Sequence, residues 1–333
     1  NSHLYENNGY LYQAPFTYYT QDSILDFPPG FEKNKNSRFS RKMGIECVAC
    51  HNAYPKFVLG SENKYNHIPE GIDCERCHGP GQQHLDNLKR GHIIDTSQHV
   101  DYSIVNPSDL SPELQNDMCA RCHLQGNAVL KTNKSFFDFR PGMYLKDVMD
   151  VYLPRYVDSD NSFIMASHLD RMKLSSCYTE SQEALSCITC HNPHISVKET
   201  SSAYFNNKCL DCHSQFPCQE DDLEKEKHNN DCVACHMKVS KTIDIPHVSI
   251  TDHKIRIYQN SDIDTFSNNM FLGLECVNNQ EPSYESITQA YLQQYERFEE
   301  KSYYLDSAWN YLHKIDLSTK MGIYIKIYYF FLR

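Results

Sequence analysis

Hydrophobic and polar positions along this 333-residue chain follow two different rules on either side of residue 256. Beyond that point, apolar and aromatic residues recur at helical spacing. Pro282 and Ser283 supply a start signal, after which Ile287, Ala290, Tyr291, Tyr295 and Phe298 keep a period near 3.6. Leu305, Ala308, Trp309 and Leu312 line a second face, Asp316 to Thr319 punctuate it, and Ile323 to Leu332 form a third apolar run. The pattern predicts about three packed helices with aromatic stripes in their core, as in a stacked αα repeat, though fewer than the roughly three repeats that usually close a solenoid. Before residue 256 no long amphipathic period holds, so residues 46–255 are expected to be loop-rich with short helices. Residues 1–45 begin NSHLYENNGYLY, a polar, tyrosine-rich arm without the basic start and apolar run of a signal peptide, which is expected to have been removed.

Composition narrows the class. No apolar run approaches the roughly 18 residues of a membrane helix, and the mean hydropathy is −0.62. With 32 basic against 43 acidic side chains the formal net charge is −11, which argues against nucleic acid and anionic lipid as partners. The unusual feature is 15 Cys with 17 His. Twelve of the cysteines form six C-x-x-C pairs: Cys47/Cys50, Cys74/Cys77, Cys119/Cys122, Cys187/Cys190, Cys209/Cys212 and Cys232/Cys235. The next residue is histidine every time: His51, His78, His123, His191, His213 and His236.

Six C-x-x-C pairs would also serve three four-cysteine zinc ribbons, or redox pairs, but neither chemistry constrains the following residue. With histidine at about one position in twenty, six matches in six have a chance probability on the order of 10⁻⁸. The spacing is that of covalent c-type haem: two thiols on one side of a helical turn form thioethers, and the following imidazole becomes the proximal iron ligand. Six haems within about 200 residues would replace much of an ordinary apolar core.

Eleven histidines remain, enough to cap six irons on their far faces. His194 lies three residues beyond His191, a span of roughly 10 Å that cannot readily pass around a macrocycle, so it is expected to serve another haem. The same holds for His84, six residues after His78 with Gly79, Pro80 and Gly81 between. His67, His168, His247 and His253 complete the expected distal set, with His3, His92, His99, His228 and His313 in reserve and methionine as an alternative ligand.

The segments ECVACHNAYP, GIDCERCHGPGQQH, CARCHLQG, CITCHNPH and DCVACHMK, followed by IPHVSITDH, resemble multihaem cytochromes related to the tetrahaem cytochrome partner of hydroxylamine oxidoreductase. The resemblance covers about residues 44–255, and SFFDFRPGM is similar to bacterial multihaem cytochromes that continue into tetratricopeptide repeats. It implies that His84 and His194 are distal ligands to haems other than their own. The chain departs from enzymes of this group: it has six motifs rather than eight, and no C-x-x-C-K.

The expected fold is therefore mainly α with extensive loops: an N-terminal arm (1–45), a hexahaem c-type cytochrome domain (46–255) and an incomplete tetratricopeptide-like helical region (256–333). Electron transfer outside the cytoplasm, in the periplasm or at the cell surface, is the expected function. The alternative is a reductase or oxidase of small nitrogen or sulfur compounds with one open haem. Partners are expected to be other redox proteins or further copies of the chain, joined through the arm or the C-terminal helices. The basic run at 33–42 reads as a solvated loop or a docking patch. The intervals 78–119 and 123–187 read as haem-shielding loops or a pocket, with turns at Asn106–Asp109 and Pro141–Gly142. The charged stretch 217–231 reads as an exposed loop or short helix. Cys177 and Cys218 are a candidate disulfide, with Cys276 left as a buried thiol. The aromatic run Tyr328 to Leu332 is expected to meet further chain or another subunit.

Overall fold

The structure, a computed structural model, describes residues 1–31, 36–157, 164–215, 218–258 and 270–333. The strands are β1 (Ser2–Asn7), β2 (Tyr10–Tyr19), β3 (Ile24–Asp26), β4 (Arg41–Lys42), β5 (Lys56–Phe57), β6 (Tyr65–His67), β7 (Asn127–Leu130), β8 (Met149–Tyr156), β9 (Val239–Lys241), β10 (Ser249–Thr251) and β11 (Phe271–Cys276). The helices of the first part are α1 (Ile45–His51), α2 (Glu75–His78), α3 (Gln82–Lys89) and α4 (Pro112–His123). They continue with α5 (His168–Lys173), α6 (Ser176–Glu180), α7 (Cys187–Cys190), α8 (Ser202–His213), α9 (Asp222–Lys227) and α10 (Cys232–His236). Three longer helices end the chain: α11 (Tyr284–Arg297), α12 (Ser302–Leu312) and α13 (Lys320–Leu332). The chain forms two compact units, one of residues 1–123, 140–143 and 162–264, the other of 124–139, 144–161 and 265–333.

The first unit is built on short helices that stop where the sequence motifs stop. His51, His78, His123, His213 and His236 are the last residues of α1, α2, α4, α8 and α10, and His191 is the C-cap of α7. Starts are set by side chains: Ser201 accepts from the Tyr204 amide, Asp231 from the Val233 amide, and Ser186 with Thr189 forms a capping box. Gly79, at φ +77°, ends α2 in a conformation that favours glycine. The N-terminal arm is a β-sheet, in which β1, β3 and β4 all pair antiparallel with β2. This element was not foreseen, because the buried positions Leu11, Ala14, Thr17 and Tyr19 do not keep strict alternation along β2. Residues 33–35 of the basic run lie outside the described residues. Of the rest, Arg41 donates to Pro29 and Gln13 and covers the Phe31 ring at 4.0 Å, and Lys42 pairs with Glu62, so both serve this sheet. Residue 217 also lies outside the described residues; the remaining charged stretch forms the exposed helix α9, capped by Asp221.

The second unit joins the sheet β11-β8-β7 to α11, α12 and α13. Ser283 caps α11 by accepting from the Ser286 amide, and Thr319 caps α13. Tyr291, Leu292, Tyr304, Leu305, Ala308, Leu312, Ile325 and Tyr329 make one buried core, as the helical spacing requires. Phe298 departs from its expected place and is exposed. Of the final aromatic run, Tyr329 is buried while Phe330 and Phe331 are exposed. Residues 124–139 and 144–161, read from sequence as part of the haem region, supply β7 and β8 to this unit.

A polar network ties this sheet to α11. Asp150, fully buried, accepts from Ser286 Oγ (2.5 Å), Asn279 Nδ2 (2.9 Å) and Lys131 Nζ (2.7 Å), and Tyr152 OH donates to Ser286 (2.9 Å). Removing one member of such a network strands the others. Asp150→Ala is therefore expected to lower the stability of this unit by about 2–4 kcal/mol. Denaturant unfolding followed by tyrosine and tryptophan fluorescence checks this, since Trp309 lies in this unit.

Candidate functional site

All six C-x-x-C-H motifs fall in the first unit. Their helices pack in succession, α1 on α4, α4 on α7, α7 on α8 and α8 on α10. Main-chain and side-chain contacts tighten this chain of motifs. Cys50 Sγ lies 3.7 Å from the Arg121 carbonyl, and the Cys187 amide and thiol face Asn116 Oδ1 at 3.0 and 3.3 Å. The second motif joins the first and third through its own Arg76, which donates to the Ala49 carbonyl, and through Arg121, which donates to the Arg76 carbonyl (3.1 Å). Two guanidinium groups are thus buried among three motifs. Arg76 and Arg140 both stack on Tyr54, at 4.9 and 4.8 Å.

Among the described residues no disulfide joins two cysteines, and no group of three or more His, Cys, Asp or Glu is arranged to hold a metal ion. The pairs are not equally enclosed. Cys50, Cys77, Cys119, Cys122, Cys187, Cys190, Cys209, Cys232 and Cys235 are half-buried, whereas Cys47, Cys74 and Cys212 are exposed. With His213, Cys212 forms the open end of α8, a helix that buries none of its residues, so protein covers neither the second thiol nor the imidazole of the fifth motif. Burial pushes the Cys177 and Cys190 thiols up, and the nearby Cys212 acts in the same direction. Cys177 and Cys218 are not joined, contrary to the disulfide reading; Cys177 is half-buried, and Cys218 is exposed. Cys276, expected to be a buried thiol, is half-buried.

Helices α7, α8, α9 and α10 bury no side chains of their own, although three of them carry motifs. A polypeptide segment with no apolar core needs another source of burial. Large flat macrocycles tethered at the cysteines are of the right chemistry and size to supply it.

The histidines separate into groups. His123, His168, His253 and His191 form a cluster, with ring centres 5.1 Å apart for His123 and His168, 4.7 Å for His168 and His253, and 6.1 Å for His191 and His253. Burial, followed by the three neighbouring imidazoles, pushes His168 down to about 3, and its Nδ1 is a buried atom with no hydrogen-bond partner. Burial also lowers His191 and His253. These rings are held neutral, the form in which imidazole binds metals. A second pair, His78 and His194, has ring centres 6.0 Å apart. The Nδ1 atoms of His78, His253 and His236 face the carbonyls of Val105, Thr251 and Arg256 at 2.9, 3.0 and 3.1 Å. His84 Nδ1 faces Asp101 at 2.8 Å. Such a second partner fixes the ring and leaves Nε2 for a metal. His51, His67 and His213 are exposed, with His67 on β6. A cleft of about 490 Å³ opens beside His78, lined by Gly79, Pro80 and the stretch Val100–Asn106, and an adjoining one reaches His84 and His99.

His247, one of the expected distal ligands, turns both ring nitrogens to carboxylates. Its Nδ1 lies 3.2 Å from Asp22 and its Nε2 2.9 Å from Asp26. Carboxylates accept, so the protonated ring donates from both nitrogens and clamps the β9–β10 hairpin to the N-terminal sheet. The hydrogen bond to Asp26 raises His247 above its ordinary 6.5, and the hydrogen bond to His247 lowers Asp26 below 3.8. The histidine contribution is thus complete below pH 6.5 and is lost as pH rises through its folded value. The Asp26 contribution is present above pH 3.8 and is lost as pH falls through its own. Amide protection in β3 and β10, taken relative to the intrinsic exchange rate at each pH, is expected to be greatest between these limits and to fall on the alkaline side, a limb that His247→Gln should abolish.

Comparison with known proteins points the same way. Residues 30–79 match the family described as cytochrome c554 and c-prime. The multiheme cytochrome MtrA of Shewanella baltica is 23% identical over 205 residues, covering 55% of this chain and 56% of the relative. Motifs and matches together make the chain similar to multihaem c-type cytochromes. The chain spans little more than half the length of that curated relative. An undecaheme cytochrome from the S-layer of Carboxydothermus ferrireducens aligns over 99% of this chain and 60% of its own, at 14% identity. Its TM-score of 0.35 is too low to infer a shared fold.

Proposed function

We propose that this cytochrome conducts electrons along six covalently attached c-type haems outside the cytoplasm. The observation that carries the proposal is the placement of all six motifs in one compact unit, with five of their helices packed one against the next and the second motif tied in through Arg76 and Arg121. Closely packed redox centres favour transfer between neighbours. Haem supplies reversible one-electron chemistry; the chain supplies attachment, axial ligands and the local field. Six cysteine pairs would form the thioethers, with His51, His78, His123, His191, His213 and His236 as proximal ligands. The pair Cys209 and Cys212 would hold the fifth haem at the surface, where an electron can enter or leave. His67, His84, His168, His194, His247 and His253 are the proposed distal ligands, His247 serving on release from Asp22 and Asp26. Arg76 and Arg121 place positive charge among the first three motifs, which raises the potential of nearby centres.

Haem attachment of this kind takes place outside the cytoplasm, and among the described residues no helix is long and apolar enough to cross a membrane. Other redox proteins are the proposed partners, and the helices α11–α13 are read as the start of a tetratricopeptide-like docking array. The rival reading is an enzyme of small nitrogen or sulfur compounds, for which the cleft beside His78 is the natural place. Carbon monoxide titration of the reduced protein separates the two. Conduction through histidine-capped irons is expected to leave the Soret band unmoved; binding of one carbon monoxide per chain would favour the enzyme.

A further inference from the structure

The positions of four histidines go further than the reading above, on which this step rests, and assign partners across individual irons. We infer that His78 and His194 face opposite sides of one iron and that His191 and His253 face opposite sides of a second. A ring nitrogen lies about 1.1 Å from its ring centre and binds a metal at about 2.0 Å, so two imidazoles across one ion have centres roughly 6.2 Å apart. His78 and His194 stand at 6.0 Å with planes 13° apart, and His191 and His253 at 6.1 Å with planes 28° apart. The same criterion discriminates within the cluster: His123–His168 at 5.1 Å and His168–His253 at 4.7 Å are too close for an ion between them.

Second partners agree with this assignment. His78 and His253 each turn Nδ1 to a carbonyl, which directs Nε2 away from it. His194 is carried off by the extended backbone at His191 (φ −113°, ψ 136°), and its backbone amide donates a hydrogen bond to Asn192 Oδ1 at 3.1 Å. It therefore serves the haem of the second motif while its neighbour His191 serves the fourth. One short loop thus holds ligands to two irons and fixes the distance between them.

The experiment uses the full chain carrying His78→Met, His194→Met, and both. Methionine in place of histidine raises the potential of the haem it binds. Each single variant is expected to move one haem equivalent in a redox titration and in the low-spin electron paramagnetic resonance signal. The double variant is expected to move one equivalent again, because both changes fall on the same iron; two equivalents, or no shift in either single variant, would overturn the pairing. His191→Met and His253→Met follow the same logic. If His78→Met fails to fold, His194→Gly supplies the second measurement. It should open one carbon monoxide site in the six-haem protein, and none when Cys74 and Cys77 are also replaced by serine. A site that opens in both backgrounds would overturn the assignment. Intact mass keeps the two readings apart: wild-type protein without covalent haem would refute the haem reading itself, whereas full haem content with the wrong equivalents would refute only the pairing.

Discussion

Replacing Cys119 and Cys122 with serine is expected to remove one haem and to unfold the first unit. These cysteines end α4, which packs against α1, α5 and α7 and so joins the first, third and fourth motifs. The helices beyond it bury no side chains of their own, so no apolar core remains to hold them once a macrocycle is lost. Loss of about 0.6 kDa of covalent mass should accompany rapid proteolysis of the first unit, residues 1–123 and 164–258. The second unit, with its own aromatic core around Tyr304 and Tyr329, should resist. A stable, protease-resistant protein carrying one haem fewer would show that the remaining contacts suffice.

Asp252→Ala should be nearly as damaging. Asp252 accepts two hydrogen bonds from Arg171, 2.9 Å from Nε and 2.7 Å from Nη2, and both side chains are only 4% exposed. Arg171 lies on α5 one turn from His168, and Asp252 immediately precedes His253, so this ion pair holds two histidines of the central cluster in place. Removing the carboxylate leaves a buried guanidinium without its counter-ion, at a cost of about 3–5 kcal/mol. The midpoint of denaturant unfolding, read from haem absorbance, is expected to fall accordingly. Replacing both partners by apolar residues, Arg171→Met with Asp252→Leu, should recover most of the loss. Equal instability of the single and double variants would mean that the pair acts through position and not through charge.

The six candidate attachment motifs were legible because their chemistry is local: thiol, thiol and imidazole must sit within five consecutive residues, and the short helices ending at His51, His123 and His236 follow those motifs. How far each site is covered was not legible, since the exposure of Cys212 depends on what packs against α8 and not on the motif itself. The C-terminal helices were legible for a similar reason to the motifs, since Ala290, Tyr291, Ala308 and Leu312 recur at one period within a single stretch. What the sequence hid depends on distant partners. Strand β8 is buried on both faces over its first five residues and contains Pro154, so it shows neither alternation nor an uninterrupted strand signal. Its pairing with β11 joins Leu153 to Glu275, a contact that no local pattern announces. The carboxylate contacts of His247 were hidden on similar grounds. As one histidine among several near the sixth motif it looked like the others, and only the fold brings Asp22 and Asp26 to its two nitrogens.

Intact mass of the purified protein under denaturing conditions tests the central claim most directly. Six thioether-linked haems require an excess over the polypeptide of about 3.7 kDa, together with the absorption of c-type haem in the reduced state. A mass equal to that of the bare chain, with zinc retained by the native protein, would contradict the account.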